Sequence, residues 1–105
     1  MDKISPEVKL LVNQYLEKLR QNRFQIKRAV IFGSQAKGSF NEWSDIDIAI
    51  VSDDFEGIRF KDKDKIRKIT LSVSPSLSPL PFRTEDFSEQ DPFVRHILKT
   101  GTDAR

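Results

Sequence analysis

Apolar residues recur every three or four positions between residues 6 and 21, which is the spacing of one face of an α-helix. Ser5, Pro6 and Glu7 supply an N-cap, a first-turn proline and an acid near the positive end of the helix dipole. We therefore predict a helix from Pro6 to about Gln21. Its apolar stripe comprises Val8, Leu11, Val12, Tyr15, Leu16 and Leu19.

Two short apolar runs follow, and their length and β-branched residues predict strands over residues 26–32 and 46–52. Gly33 comes directly after the first run and permits a tight turn that exposes a backbone N–H group. A short helix that begins at residues 34–36 and ends at Gly38 is expected between the strands. One face of the second strand, opposite to the acids at its start, comprises Ile46, Ile48 and Ile50.

The rest of the chain predicts two more helices and one strand. Residues 60–73 have helical spacing, and the Ser- and Pro-rich stretch 74–79 ends that helix. Residues 80–83 contain a proline and predict an edge strand, and residues 91–101 predict a capped final helix with Gly101 as its C′ residue. Alternating helices and strands favour an α+β fold, a small mixed sheet with helices packed against it.

Composition narrows the class of protein. A length of 105 residues suits a single domain over residues 1–105, and 37% apolar residues suffice for a modest core. The net charge is only +2, and charged residues of both signs are present in similar numbers, which disfavours a dedicated nucleic-acid binder. The chain has no cysteine, no signal-peptide pattern and no apolar run of membrane-spanning length, so we expect a cytoplasmic protein without a membrane partner.

The most informative segment joins Gly33-Ser34 to Asp45-Ile46-Asp47. Residues two apart on a strand point to the same face, so Asp45 and Asp47 should converge. Two adjacent carboxylates repel each other, and such a pair is typical of a cation site. Backbone N–H groups after Gly33, at the start of a helix, suit an anion. A divalent cation beside a phosphate site indicates nucleotide chemistry.

This segment, with ten residues between Ser34 and Asp45, resembles the signature of the nucleotidyltransferase superfamily that has the DNA polymerase beta-type palm. More narrowly, the chain resembles the minimal nucleotidyltransferases, small bacterial and archaeal proteins often found as antitoxins of HEPN/MNT toxin–antitoxin pairs. The likeness extends weakly through residues 80–87 and 92–101. It implies the polymerase beta palm-like fold, with the metal site at the open edge of a curved sheet.

The resemblance also implies an activity, the transfer of AMP from ATP, or of another nucleoside monophosphate, to a hydroxyl of a partner protein. Asp45 and Asp47 would be the catalytic residues and would hold Mg²⁺ or Mn²⁺, while Gly33, Ser34 and Lys37 would bind the nucleotide. Lys37 is equally consistent with a solvated loop lysine. The implied partner is a HEPN-domain toxin with a tyrosine acceptor, in either a homo- or a hetero-oligomer.

One departure from the family pattern concerns catalysis. The family usually carries a third carboxylate after the middle helix, and the matching position here falls near Ser76 or Ser78. No acid occurs between Asp64 and Glu85, although Glu85 or Asp86 could substitute. Losing a general base costs on the order of 10²–10⁴-fold in rate. The alternative is a binding module with the same fold that neutralises its partner by contact alone.

Other hypotheses have less support. An acceptor that is an RNA or a small molecule needs a binding surface for which a chain of this length has little room. The mixed-charge run 60–68 favours a solvated helix face over a phosphate or RNA contact. Trp43 is a loop anchor or a base-stacking residue, and His96 favours a structural role over acid–base catalysis.

Overall fold

The computed structural model describes residues 4–33 and 45–104. The described elements are helix α1 (Pro6–Gln21), strand β1 (Ile26–Phe32), strand β2 (Ile46–Ser52), helix α2 (Arg59–Val73), strand β3 (Leu77–Phe82), a 3-10 turn (Thr84–Asp86), helix α3 (Pro92–Thr100) and strand β4 (Thr102–Asp103). The predicted α+β class is confirmed, and so are the bounds of α1, β1 and β2. The short helix predicted at residues 34–36 and its end at Gly38 lie outside the described residues.

The strands form one mixed sheet in the order β3-β2-β1-β4. Strand β2 is antiparallel to β1 and parallel to β3, and β4 is antiparallel to β1. The parallel pairing requires a crossover, which α2 provides. Because β2 lies between β1 and β3, the residues at its start have neighbours on both sides.

Side chains of β2 alternate between two separate parts of the core. Ile46, Ile48 and Ile50 pack in a cluster with residues of α1 and α2. Ala49 and Val51 belong to the cluster that contains the buried residues of α3. Asp47 has the parity of Ala49 and Val51, and therefore lies on the α3 side of the sheet. This agrees with the predicted separation of the acids from the isoleucines.

Helix α1 begins as its sequence predicts, since the Ser5 hydroxyl accepts a hydrogen bond from the Val8 N–H at 3.3 Å. Its buried face contacts α2, where Tyr15 and Thr70 form a hydrogen bond of 2.7 Å. The Thr70 hydroxyl donates to the Ile66 carbonyl oxygen at 2.8 Å, so it accepts the proton of Tyr15. This contact ties the two helices together on one face of the sheet.

The third strand was predicted at residues 80–83, and that prediction is wrong at its start. Strand β3 begins at Leu77, within the stretch predicted as a helix-breaking loop. The Ser76 carbonyl accepts from the Ile46 N–H at 2.8 Å, so alternate backbone groups from Ser76 onward face β2. Pro79 and Pro81 fall between these positions, and the N–H groups that they lack would have faced outward. Strand β3 is an edge strand, as predicted.

The final helix begins at the predicted cap, where the Asp91 carboxylate accepts from the Phe93 N–H at 2.9 Å. Gly101 ends the helix as its C-cap, but its φ of −88° is not the left-handed value expected for a C′ glycine. A Cβ at this position would lie 2.6 Å from Val30 Cγ1 and 2.9 Å from the Ile31 carbonyl oxygen. Close approach of α3 to β1 therefore requires the glycine.

Candidate functional site

The end of β1 meets the start of β2 at Gly33 and Asp47. Phe32 pairs with Asp47 in the antiparallel register, and Gly33 follows with a φ of +75°. A Cβ on Gly33 would collide with Asp47 Oδ2. The glycine therefore serves two needs, a left-handed backbone and room for the carboxylate. The predicted tight turn at Gly33 is present.

The two acids differ in exposure, and the charge of Asp45 acts on Asp47. Asp45 is exposed just before β2, whereas Asp47 is half-buried within it. Burial raises the pKa of the Asp47 carboxyl above its usual range, and the negative charge of Asp45 raises it further. A cation held between the two carboxylates would offset the effect of the Asp45 charge on Asp47.

Ser78 is the neighbour of Asp47 on the other side. In the parallel register of β2 and β3, the Cα partner of Asp47 is Ser78. The Ser78 hydroxyl donates a hydrogen bond to the Asp47 carboxylate, which acts to lower its pKa against the two larger effects. Of the two candidate positions for a third carboxylate, residue 78 is the one opposite Asp47, and it is a neutral hydroxyl.

Glu85 and Asp86 do not replace the missing acid. Phe82, at the end of β3, pairs with Val51, near the far end of β2 from Asp47. Both acids follow Phe82 and are engaged by Arg83, whose Nε lies 2.7 Å from Asp86 and whose Nη1 lies 3.4 Å from Glu85. The alternative that either of them completes the site is wrong.

The donor set fits a hard divalent cation held with few protein ligands. Asp45, Asp47 and Ser78 offer oxygen atoms alone, and Mg²⁺ commonly binds one or two carboxylates together with substrate phosphates and water. Within residues 4–33 and 45–104, no group of three or more acidic, histidine or cysteine side chains is gathered for a metal. The arrangement therefore suits a cation that arrives with a phosphorylated ligand.

Several predicted residues fall outside this geometry. Ser34 and Lys37, predicted to bind the nucleotide, and Trp43 lie outside the described residues, so those predictions stay predictions. His96 is exposed on α3. Sequence reasoning missed the hydrogen bond that Ser78 gives to Asp47; its only sequence signal was the spacing of Ser78 before the Pro-Leu-Pro-Phe segment.

Comparison with known families decides the assignment of the chain. The model of the nucleotidyltransferase domain family matches residues 12–101, which include β1, β2, β3 and both acids. The chain belongs to this nucleotidyltransferase domain family. The resemblance inferred from the Gly-Ser and Asp-x-Asp segments is thereby confirmed.

A relative from Methanocaldococcus jannaschii is 33% identical over 94 residues, covering 86% of this chain and 90% of the relative. It is named, as a provisional assignment, a protein adenylyltransferase. A solved structure from Sulfolobus solfataricus, provisionally named a nucleotidyltransferase, matches with a TM-score of 0.61 at 18% identity. The match covers 90% of this chain and 77% of the other, and it shows that the nucleotidyltransferase fold is shared.

None of the described helices combines the length and the apolar composition that crossing a bilayer requires.

Proposed function

We propose that this nucleotidyltransferase-family protein transfers a nucleoside monophosphate, AMP from ATP, to a hydroxyl of a partner protein. The observation that carries the proposal is the junction of Gly33 with Asp47, beside Asp45, at the meeting edge of two strands. The name of the Methanocaldococcus jannaschii relative supports a protein acceptor. The resemblance to HEPN/MNT antitoxins makes a HEPN-domain toxin the proposed partner and a tyrosine hydroxyl the proposed acceptor.

In the proposed reaction, the acceptor oxygen forms a bond to the α-phosphorus of ATP, and the bond from that phosphorus to the bridging oxygen breaks. Pyrophosphate leaves, and the hydroxyl proton passes to solvent because Ser78 offers no carboxylate at this point. Asp45 and Asp47 are proposed to hold Mg²⁺ or Mn²⁺, which would neutralise charge on the phosphate oxygens.

Other residues of the chain orient these groups. The turn at Gly33 leaves room for the Asp47 carboxylate and leads into the segment that we propose holds the triphosphate through Ser34 and Lys37. We propose that the Ser78 hydroxyl, through its hydrogen bond, holds the Asp47 carboxylate in place for a ligand. In the proposed site, the Asp47 carboxylate is therefore positioned between two neutral residues, Gly33 on one side and Ser78 on the other.

A second candidate function is a binding module that neutralises its partner by contact. The observation that favours it is the serine at position 78, opposite Asp47, where a third acid would otherwise serve as metal ligand or base. This candidate keeps nucleotide binding but makes transfer dispensable. Formation of the complex with an unmodified partner would support it, and efficient transfer to the partner would contradict it.

The first experiment is thermal unfolding with each of the four ribonucleoside triphosphates, with and without Mg²⁺ or Mn²⁺. A ligand at about 100 times its dissociation constant adds roughly 2.7 kcal/mol to the free energy of unfolding. We expect a metal-dependent rise in melting temperature with ATP that is lost in Asp45→Asn/Asp47→Asn. The control pair Asp53→Asn/Asp64→Asn changes two exposed acids and should keep the rise. A rise that survives in the site variant would contradict the proposal.

A further inference from the structure

Positive charge is concentrated on helix α2. The sequence of α2 contains six lysine or arginine residues and two aspartates, whereas the whole chain has a net charge of only +2. One of the two aspartates, Asp62, is fully buried and accepts hydrogen bonds from the Glu56 and Gly57 N–H groups at 2.8 and 2.9 Å. The solvent-facing surface of α2 is therefore strongly cationic, while the rest of the chain is slightly acidic.

A groove runs between α2 and the outer edge of β3, with a cavity of about 220 Å³. The residues of this α2–β3 groove that matter below are Lys63, Arg67, Leu71, Leu77, Ser78 and Pro79. Lys63, Arg67 and Leu71 are spaced four apart, and so form one stripe along the helix. Leu71 is 60% exposed. The groove thus combines two cations with an exposed apolar wall.

The cations of the groove are available for a ligand. Lys63 forms no ion pair within the described part of the chain, and Arg67 reaches only the exposed Asp64 at 3.8 Å. An exposed pair of this kind contributes little and exchanges readily. An occupant that carries acidic side chains beside apolar ones would match both the cations and the apolar surface of the groove.

The edge of β3 determines which backbone conformation an occupant can use. A strand added to this edge would need N–H donors from Pro79 and Pro81, and proline has none. The occupant must therefore bind through side chains, as an amphipathic helix does when it lies in a groove. RNA is disfavoured, because the described residues that line the groove include leucines and a proline but no aromatic ring on which a base could stack.

We propose that the α2–β3 groove docks an acidic amphipathic helix of the acceptor protein. Ser78 lines the groove at the edge of the sheet and is also the strand neighbour of Asp47, whose side chain lies on the opposite face of the sheet from α2. A helix seated in the groove therefore lies one strand away from Asp47, around the edge of the sheet. This inference rests on the proposed function and assigns the surface that holds its protein substrate. It lets the nucleotidyltransferase domain itself hold the protein that carries the acceptor hydroxyl.

The test uses the full chain, labelled with ¹⁵N, and a helix-forming peptide with glutamates and leucines on one face. We expect backbone amide shifts at the groove residues and at few other places. Lys63→Glu/Arg67→Glu should weaken peptide binding at least about tenfold. Lys61→Glu/Lys68→Glu makes the same change of charge on the same helix, outside the groove lining, and should change binding much less.

Three outcomes would overturn the proposal: no shift of groove residues with the peptide, equal losses in both double variants, or preferential binding of single-stranded RNA in the groove. The proposed function is tested separately, because Lys63→Glu/Arg67→Glu should keep its thermal response to ATP and metal. If the peptide does not bind but the thermal response to ATP is retained, only the proposed docking surface is contradicted. If the wild type shows no thermal response to ATP and metal, the proposed function itself is contradicted.

Discussion

Ser78 faces Asp47 across the parallel pair of central and edge strands, and its hydroxyl donates a hydrogen bond to the carboxylate. A neutral donor thus occupies the position from which an acid would share a cation with Asp47. With serine at position 78, the Asp47 carboxylate has a neutral donor beside it instead of a further negative charge. The serine also reduces the number of charged ligands that the site offers.

Ser78→Asp should therefore strengthen the site. The new carboxylate adds a charged ligand beside Asp47, so we expect Mn²⁺ affinity measured by calorimetry to rise at least about tenfold, with faster nucleotidyl transfer. Thr84→Asp adds the same charge beyond the far end of β3 and should leave metal affinity unchanged. Equal or weaker metal binding in Ser78→Asp would show that residue 78 is not at the cation.

Gly33→Ala should damage both stability and the site. Alanine must adopt a φ of +75° and push its Cβ into the Asp47 carboxylate, so we expect a loss of about 1–3 kcal/mol in urea unfolding. Gly57→Ala is the matched control, since Gly57 has a φ of +88° and a Cβ there would lie 2.5 Å from Arg83 Nε. Both variants should lose stability, but only Gly33→Ala should lose Mn²⁺ affinity.

Tyr15 makes stability depend on pH in the alkaline range. Burial raises the pKa of Tyr15 to about 12, from 10.0 in the unfolded chain. The folded state therefore holds the phenol proton more tightly, and stability present below pH 10 is lost as the pH rises toward 12. The loss is about 2–3 kcal/mol.

Comparison with Tyr15→Phe isolates this effect from the titration of lysines. The variant should cost about 0.5–1.5 kcal/mol at neutral pH, because the hydrogen bond to Thr70 is lost. In urea unfolding at several pH values, the free energy of unfolding should fall more steeply between pH 10 and 12 for the wild type than for the variant. Parallel curves would contradict the assignment.

Asp62→Asn should destabilise the connection from β2 to α2. Each oxygen of the buried carboxylate accepts from one of two consecutive backbone N–H groups. In asparagine one of these oxygens is replaced by an NH₂ group, which cannot accept a hydrogen bond. We expect a loss of about 1–3 kcal/mol, measured by urea unfolding. Asp64→Asn, on the exposed side of the same helix, should change stability by no more than about 0.5 kcal/mol.

The sequence predicted those elements whose local signals agree with their packing. The bounds of α1, β1 and β2 followed from apolar spacing and from the cap at Ser5. The start of β3 was missed because serine and proline favour a break locally. The strand forms nevertheless, since both prolines turn their nitrogens to the unpaired edge. Strand β4 pairs only at Thr102 and Asp103, too short a run for a periodic signal.

The candidate site was predictable in its residue types but not in its neighbours. Asp45 and Asp47 were predicted as a pair from their spacing and their place at the start of a strand. The hydrogen bond between Ser78 and Asp47 depends on the register of β2 and β3. The sequence of β3, with two prolines, does not specify that register. Burial of Asp62 was equally hidden, because its sequence context is a run of alternating charges typical of a solvated helix face.

The strand register also has a consequence for the course of folding. Phe32 and Asp47 meet across an antiparallel hairpin, whereas Ser78 reaches Asp47 only through a crossover about twice as long. Closing the shorter connection loses less chain entropy, and parallel pairings form slowly. The hairpin should therefore close first and leave the carboxylate hydrated on its open flank. Water is then removed from this flank of Asp47 only later, when β3 docks.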